Sequence, residues 1–282
     1  MNRHVHTYMG CETEYGDAKI VLFGAPFDGT ASFRPGSRFA SAAMRGDSYG
    51  LETYSPYQDR DLSETAVFDG GDLELSIGNT GKALDQIEAY TAGALADHKI
   101  PCMIGGEHLV SLGAVRAVAK KYPGLHVLHF DAHADLREEY LGERLSHATV
   151  MRRVWELIGD GKLHQYGIRS GTREEFAWAS EHVHMRRYDF TGLAETIARL
   201  NGKPVYVSID LDVLDPSVFP GTGTPEPGGV SFMELLDAAL ALKGLDIVGV
   251  DMTELSPAYD PSGVSTVTAC KVLRELLLVI GG

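Results

Sequence analysis

The stretch Leu125-His126-Val127-Leu128-His129-Phe130-Asp131-Ala132-His133-Ala134-Asp135 runs apolar and then breaks into acid and imidazole. Up to Phe130 it has the length and composition of a buried strand. A strand with little polar alternation belongs in a parallel sheet covered on both faces. Beyond Phe130, residues two apart on an extended segment point the same way, which predicts that Asp131, His133 and Asp135 converge at the strand's mouth. Pro204–Ile209 followed by Asp210-Leu211-Asp212 repeats the pattern.

Working outward, similar apolar runs occupy Ile20–Phe27, Ala66–Phe68, Pro101–Ile104, Leu163–Ile168, Val183–Tyr188 and Asp246–Val250. Stretches with apolar residues at helical spacing cover Lys82–His98, Leu109–Lys121, Thr149–Ile158, Leu193–Leu200, Phe232–Leu242 and Thr266–Val279. Alternation of this kind predicts an α/β fold: a three-layer α/β/α sandwich around a mainly parallel sheet of about eight strands. With no internal repeat and no Pro/Ser-rich linker, residues 1–282 are expected to form one domain. In such sheets ligands gather beyond the carboxyl ends of the strands. His108 after the run ending at Ile104 and Glu254 after Asp246–Val250 stand there as well.

Several carboxylates in a poorly solvated cleft cost several kcal/mol each, on the order of a buried unpaired ion, unless a positive charge meets them. Asp131, Asp135, Asp210 and Asp212 carry four negative charges, which two divalent ions would cancel. His108 and His133 bring the donors to six. A carboxylate-rich set without cysteine suits manganese or magnesium over structural zinc, and imidazole tips the choice to two Mn2+ ions.

Composition narrows the class further. The chain has 282 residues, 44% of them hydrophobic, and a net charge of −14 from 25 basic and 39 acidic side chains. That core excludes global disorder, and the acidic surplus argues against nucleic acid or an anionic membrane as partner. Cys11, Cys102 and Cys270 are far apart and form no C-x-x-C pair, which points to reduced thiols in a cytosol. The start, Met1 to Asp17, has no signal-peptide core, and no apolar run reaches the ~18 residues of a membrane span. The expected location is cytoplasmic.

Five motifs now stand in order: GGEH (Gly105–His108), DAHAD (Asp131–Asp135), SIDLDVLDP (Ser208–Pro216), GTGTPEPGG (Gly221–Gly229) and MTEL around Glu254. With RPGSR (Arg34–Arg38) they resemble the ureohydrolase family of arginases and agmatinases over nearly the whole chain, and bacterial agmatinases in particular. The resemblance implies one manganese on His108, Asp131, Asp135 and Asp210, and a second on Asp131, His133, Asp210 and Asp212. It implies a hydroxide between the ions as nucleophile, Glu254 as the carboxylate that orients the guanidinium, Asp135 as proton donor to the departing amine, and His147 as a proton shuttle. The implied reaction is hydrolysis of agmatine to putrescine and urea, and the implied assembly a homo-oligomer, trimer or hexamer.

Two positions depart from the family pattern: Glu107 stands where Asp is commoner, and Ala148 where Gly is usual. Glu107 is expected to touch His108 and shift it slightly. His4, His6, His98, His164, His182 and His184 are read as termini, helix ends or exposed positions, and His126 and His129 as packed in the sheet. In the glycine-rich loop, threonine and Glu226 are expected to line the pocket.

The loop LREEYLGERLS (Leu136–Ser146) lacks the Ser-Gly-Asn stretch typical of arginases, and its Glu138, Glu139 and Glu143 suggest an entrance favourable to a distal ammonium. Arg137 and Arg144 keep guanidinobutyrate and guanidinopropionate as alternative substrates. Single-zinc amino-group deacetylases of related fold are disfavoured by the six-donor set. An inactive metal-binding member of the family is disfavoured by the presence of every expected site residue.

Overall fold

The computed structural model describes residues 6–282, so His4 and the first residues of the leader reading lie outside the described residues. Among the described residues ten strands occur in chain order: β1 Ile20–Gly24, β2 Tyr54–Ser55, β3 Arg60–Asp61, β4 Val67–Asp72, β5 Ile100–Ile104, β6 His126–Phe130, β7 Leu163–Ile168, β8 His184–Arg187, β9 Pro204–Asp210 and β10 Asp246–Thr253. β2 and β3 pair as a small antiparallel ribbon. The other eight form one sheet in the order β4-β1-β5-β10-β9-β6-β7-β8. Every pairing in it is parallel.

Strand alternation splits the core in two. Ile20 and Leu22 of β1 join one apolar cluster, with Leu128 and Phe130 of β6. Val21 and Phe23 point the other way, with Val127, into the second. The first cluster is closed by helices α1 (Ala40–Ser48), α6 (Leu193–Leu200), α7 (Phe232–Ala241) and α8 (Val264–Ile280). The second is closed by α2 (Thr80–Ala96), α3 (Val110–Lys121), α4 (Val150–Ile158) and α5 (Arg173–His182). This is the three-layer sandwich that near-continuous apolar strands require.

Two helices depart from the periodicity reading. α1 buries Ala40 and Met44 but also Arg45 and Ser48, so its inner face is half polar. Arg45 is held there by Asp69, with Nε 2.8 Å from Oδ2. α5 buries only Glu175 and Ala179, too little to register as an apolar stripe. Its start was nonetheless written in the sequence, because Thr172 and Glu175 form a reciprocal capping box. β4 is longer than its apolar core because Asp69 and Asp72 pair with Arg45 rather than with another apolar layer.

β5, β10, β9 and β6 are consecutive neighbours at the centre of the sheet. Their carboxyl ends deliver His108, Glu254, Asp210 and Asp131 to one place. Gly106 shows how tightly the adjoining loops meet: a Cβ there would lie 1.9 Å from the Phe27 carbonyl oxygen. Glu107 N donates to that same oxygen at 2.8 Å.

Candidate metal centre

Asp131 is fully buried at the end of β6, and its two oxygens serve two sides. Oδ2 lies 3.1 Å from His108 Nδ1, and Oδ1 lies 3.5 Å from His133 Nδ1. On the first side, His108 Nδ1 is also 3.0 Å from Asp135 Oδ2 and 3.4 Å from Asp210 Oδ2. On the second, His133 Nδ1 is 3.0 Å from Asp212 Oδ2. Asp210 links the halves, since its Oδ1 accepts from Asp212 N at 2.9 Å. All six expected ligands thus meet in one cluster.

The cause of convergence differs from simple alternation. Asp135 has a positive φ of 54°, so the chain after β6 turns through a left-handed residue instead of staying extended. Asp212 swings in on a 3-10 turn, Leu211–Val213, rather than on the next strand residue. Glu254 also carries a positive φ, 65°. Non-glycine residues in this region store strain and concentrate where function over-determines the backbone.

Protons reveal what the cluster lacks. Among the described residues no lysine or arginine pairs with the four aspartates. Burial would drive both imidazoles towards neutrality, yet hydrogen bonds and charge from Asp131, Asp135, Asp210 and Asp212 push His108 and His133 well above the usual range. Burial and the neighbouring Asp131 raise the Asp135 carboxyl to about 7. Burial, Asp212 and Asp131 raise Asp210 well above its ordinary value. Asp131 is the exception: despite burial, hydrogen bonds from His108 and His129 hold it well below. A cluster whose carboxyls and imidazoles take up protons to balance one another has a donor set that could hold metal cations in place of those protons. His/Asp groups with donor atoms close enough to share an ion fall on both sides: His108, His129 and Asp131 on one, Asp131, His133 and Asp212 on the other.

His129 is the residue that sequence reasoning missed. It is buried as expected, but Nε2 lies 2.8 Å from Asp131 Oδ2 and Nδ1 3.0 Å from Gln165 Nε2. Its position two before Asp131, on the same strand face, was the available signal. Ser208 and Asp251 were missed too. His108 Nε2 lies 3.0 Å from Ser208 Oγ, which donates to Asp251 Oδ1 at 2.7 Å. With Ser208 Oγ donating to Asp251, it accepts from His108 Nε2–H, which fixes the ring with Nδ1 facing the carboxylates.

A cavity of about 200 Å³ opens onto the cluster, with His108, His133, Asp135, Asp210 and Asp212 at its floor and Glu254, His147, Tyr140, Arg137, Ser32 and Thr224 around it. Glu254 Oε1 accepts from His108 N at 2.9 Å, and burial beside Glu107 and Asp212 raises its carboxyl well above normal. His147 opens the 3-10 turn before α4, with Nε2 3.3 Å from Ser32 Oγ. Burial lowers its pKa, so the ring is neutral near pH 7. Ala148 lines the cavity, and its carbonyl accepts from Arg137 N at 3.3 Å.

Several expectations need correction. Glu138 turns away to ion-pair with Arg144, Arg152 and Arg153, and Glu139 and Glu143 line other surface hollows. None of the three reaches the cavity, because the loop folds back on the cationic start of α4. Arg144 likewise pairs with Glu156 outside it. Glu226 contributes its main-chain oxygen to Arg169, while Thr224 is the loop's cavity residue. His164 is buried, not exposed, because it sits in the interior of β7. Glu107 touches Thr30 and His147 rather than the His108 ring. Cys11, Cys102 and Cys270 are free and buried. No helix among the described residues is long and apolar enough to cross a membrane.

A parallel α/β/α sandwich with a carboxylate- and imidazole-rich double cluster at its central strand ends defines a hydrolase of the metal-dependent arginase type. The profile of the Arginase family matches residues 18–279, and the chain belongs to that family. Agmatinase of Bacillus cereus is 50% identical over 269 residues, which cover 94% of this chain and 92% of that one. The crystal structure of a Clostridium difficile protein superposes with a TM-score of 0.93 at 53% identity, covering 95% of this chain and 99% of that one. Agmatine ureohydrolase of Thermoplasma volcanium superposes with a TM-score of 0.91 at 35% identity, covering 99% and 95%.

Proposed function

We propose that this protein is an agmatinase that hydrolyses agmatine to putrescine and urea with two manganese ions. The observation that carries the reading is the division of Asp131, one oxygen towards each imidazole, with both His108 and His133 lining a cavity that Glu254 and His147 also line. The agmatinase relatives support the substrate. His108, Asp131, Asp135 and Asp210 would hold one ion and Asp131, His133, Asp210 and Asp212 the other. When bound, the ions supply a water-derived nucleophile at neutral pH and the positive charge the carboxylates need.

The chain's own groups do the rest. The Glu254 carboxylate matches the planar fork of a guanidinium, and among the described residues no lysine or arginine is ion-paired to it. Neutral His147 can take up and return a proton at Nε2, on the cavity side where Ser32 stands. Asp135, with Oδ2 facing the centre, delivers a proton to the departing amine. Fixing the guanidinium against the cluster matters most, because its delocalised charge makes it a poor electrophile.

A second reading is favoured by one feature. Arg137 lines the cavity and lies over the Tyr140 ring at 4.6 Å, where it could meet the carboxylate of a guanidino acid. Its Nε is also 3.5 Å from Glu175, which already offsets its charge and leaves agmatine preferred. The deciding assay loads the protein with manganese and measures urea from agmatine, arginine and 4-guanidinobutyrate at equal concentration. Agmatine is expected to dominate. Preference for either acid would overturn the substrate, and no urea from any of the three would overturn the enzyme.

A further inference from the structure

We infer that Glu107 and Thr30 form a staple that positions His147 for its proton transfer; this rests on the role of His147 given above. Glu107 is fully buried in the loop after β5. Its Oε1 accepts from Thr30 N at 2.9 Å and its Oε2 from Thr30 Oγ1 at 2.8 Å. With its hydrogen committed, Thr30 Oγ1 acts as acceptor for His147 N at 3.1 Å. The same carboxylate oxygen stands 3.7 Å from His147 Nδ1. Two residues further along the β1 loop, Ser32 Oγ lies 3.3 Å from His147 Nε2. One loop therefore grips His147 at its main chain and at the far side of its ring, and Glu107 holds that loop.

The length of Glu107 is what makes the staple possible. An aspartate would withdraw the carboxylate by about one C–C bond, roughly 1.5 Å. The backbone cannot follow to compensate, because Glu107 N is bonded to Phe27 O and Gly106 is packed against that same carbonyl. A buried carboxylate with no lysine or arginine ion pair among the described residues is costly unless its hydrogen bonds are used. Here both oxygens are spent on one threonine.

The test uses the manganese-loaded full chain and four variants: Thr30→Val, Thr30→Ser, Glu107→Asp and His147→Ala. Thr30→Val and Glu107→Asp are each expected to lower kcat by about 10- to 100-fold, the usual cost of an orienting partner, while KM moves less than about twofold. Both should shift the kcat pH limb that His147→Ala removes, and both should retain the metal content of the unmodified protein by elemental analysis. Thr30→Ser, which keeps the hydroxyl, should recover turnover to within about threefold. Unchanged kcat and pH profile in both Thr30→Val and Glu107→Asp, with His147→Ala impaired, would overturn the staple alone. Loss of metal along with activity would also overturn it, by showing that Glu107 acts on His108 instead. Full turnover in His147→Ala would remove the underlying role of His147 and identify that as the failure. If Thr30→Val does not fold, Glu107→Asp carries the same decision.

Discussion

Histidines gather around both ends of strand β6, and the two gatherings sit in opposite surroundings. At its start, His126 Nδ1 faces His164 Nε2 at 3.2 Å, and the His164 ring stacks on His184 at 4.9 Å and 12°. Around them the charged neighbours are cationic: Lys162, Lys203 and Arg199. Burial, then Lys203 and Lys162, lower His126 to about 4; burial, then the neighbouring His184 and His126 ahead of the cations, lower His164 to about 3. Beyond the carboxyl end, His108 and His133 meet four aspartates and are pushed up instead, while His129, buried within β6 itself, stays below its usual range despite its bond to Asp131. Three close imidazoles are therefore no sign of a metal site by themselves. Carboxylates in the same shell make the difference, because they supply the negative charge that a cation must balance.

The comparison breaks most visibly at Asp131. Replacing it with Asn removes the carboxylate common to both sides, and turnover should fall by about 10³-fold, some 4 kcal/mol at 1.36 kcal/mol per decade. Elemental analysis should show metal lost together with activity. Full turnover with two ions bound would end the reading of Asp131 as the ligand common to both, and full turnover without bound metal would end the metal reading. His147→Ala comes next, with a loss of about 10²-fold at unchanged metal content, as expected for a general acid–base group. Glu254→Gln keeps the shape but removes the charge from the guanidinium contact. It should raise KM and lower kcat/KM by about 30-fold, near the 2 kcal/mol of a charge-assisted hydrogen bond.

At the other end the effects are small and of a different kind. His164→Leu should leave kcat/KM within about twofold, since nothing there touches the cavity. Its signature is in acid. His126 and His164 have folded values below the ordinary imidazole value, so the folded state resists their protonation while the unfolded chain accepts it. Stability is therefore complete above about pH 6.5 and declines as pH falls towards 4. Chemical denaturation between pH 7 and 4.5 should show a shallower decline in His164→Leu than in the unmodified chain. Identical slopes would mean that the histidine column carries no such penalty.

Much of the site could be read because its residues follow apolar runs in a parallel fold, where strand ends must gather. The ends of two apolar runs put Asp131 and Asp210 on the same edge of the sheet, and the pairing of β6 with β9 makes them neighbours. What resisted reading were contacts made across the chain by groups of ordinary appearance. His129 looks like any strand residue until Asp131 turns back onto it. Asp251 is separated from Ser208 by 43 positions, and no local pattern joins them. Helix α1 hid because its buried face includes Arg45, and burial of an arginine is legible only once Asp69 and Asp72 stand opposite. The entrance acids misled for the converse reason: Glu138 found three arginines of its own.

By itself the sequence determined the layered parallel fold, the strand ends that carry function and the side chains that form the cluster, because periodicity and residue type are local properties. Only the tertiary structure decided which oxygen of Asp131 faces which imidazole, which way Glu107 points and which acids reach the cavity. Those outcomes depend on competition among partners distant in the chain, and distance in sequence says nothing about who arrives first in space.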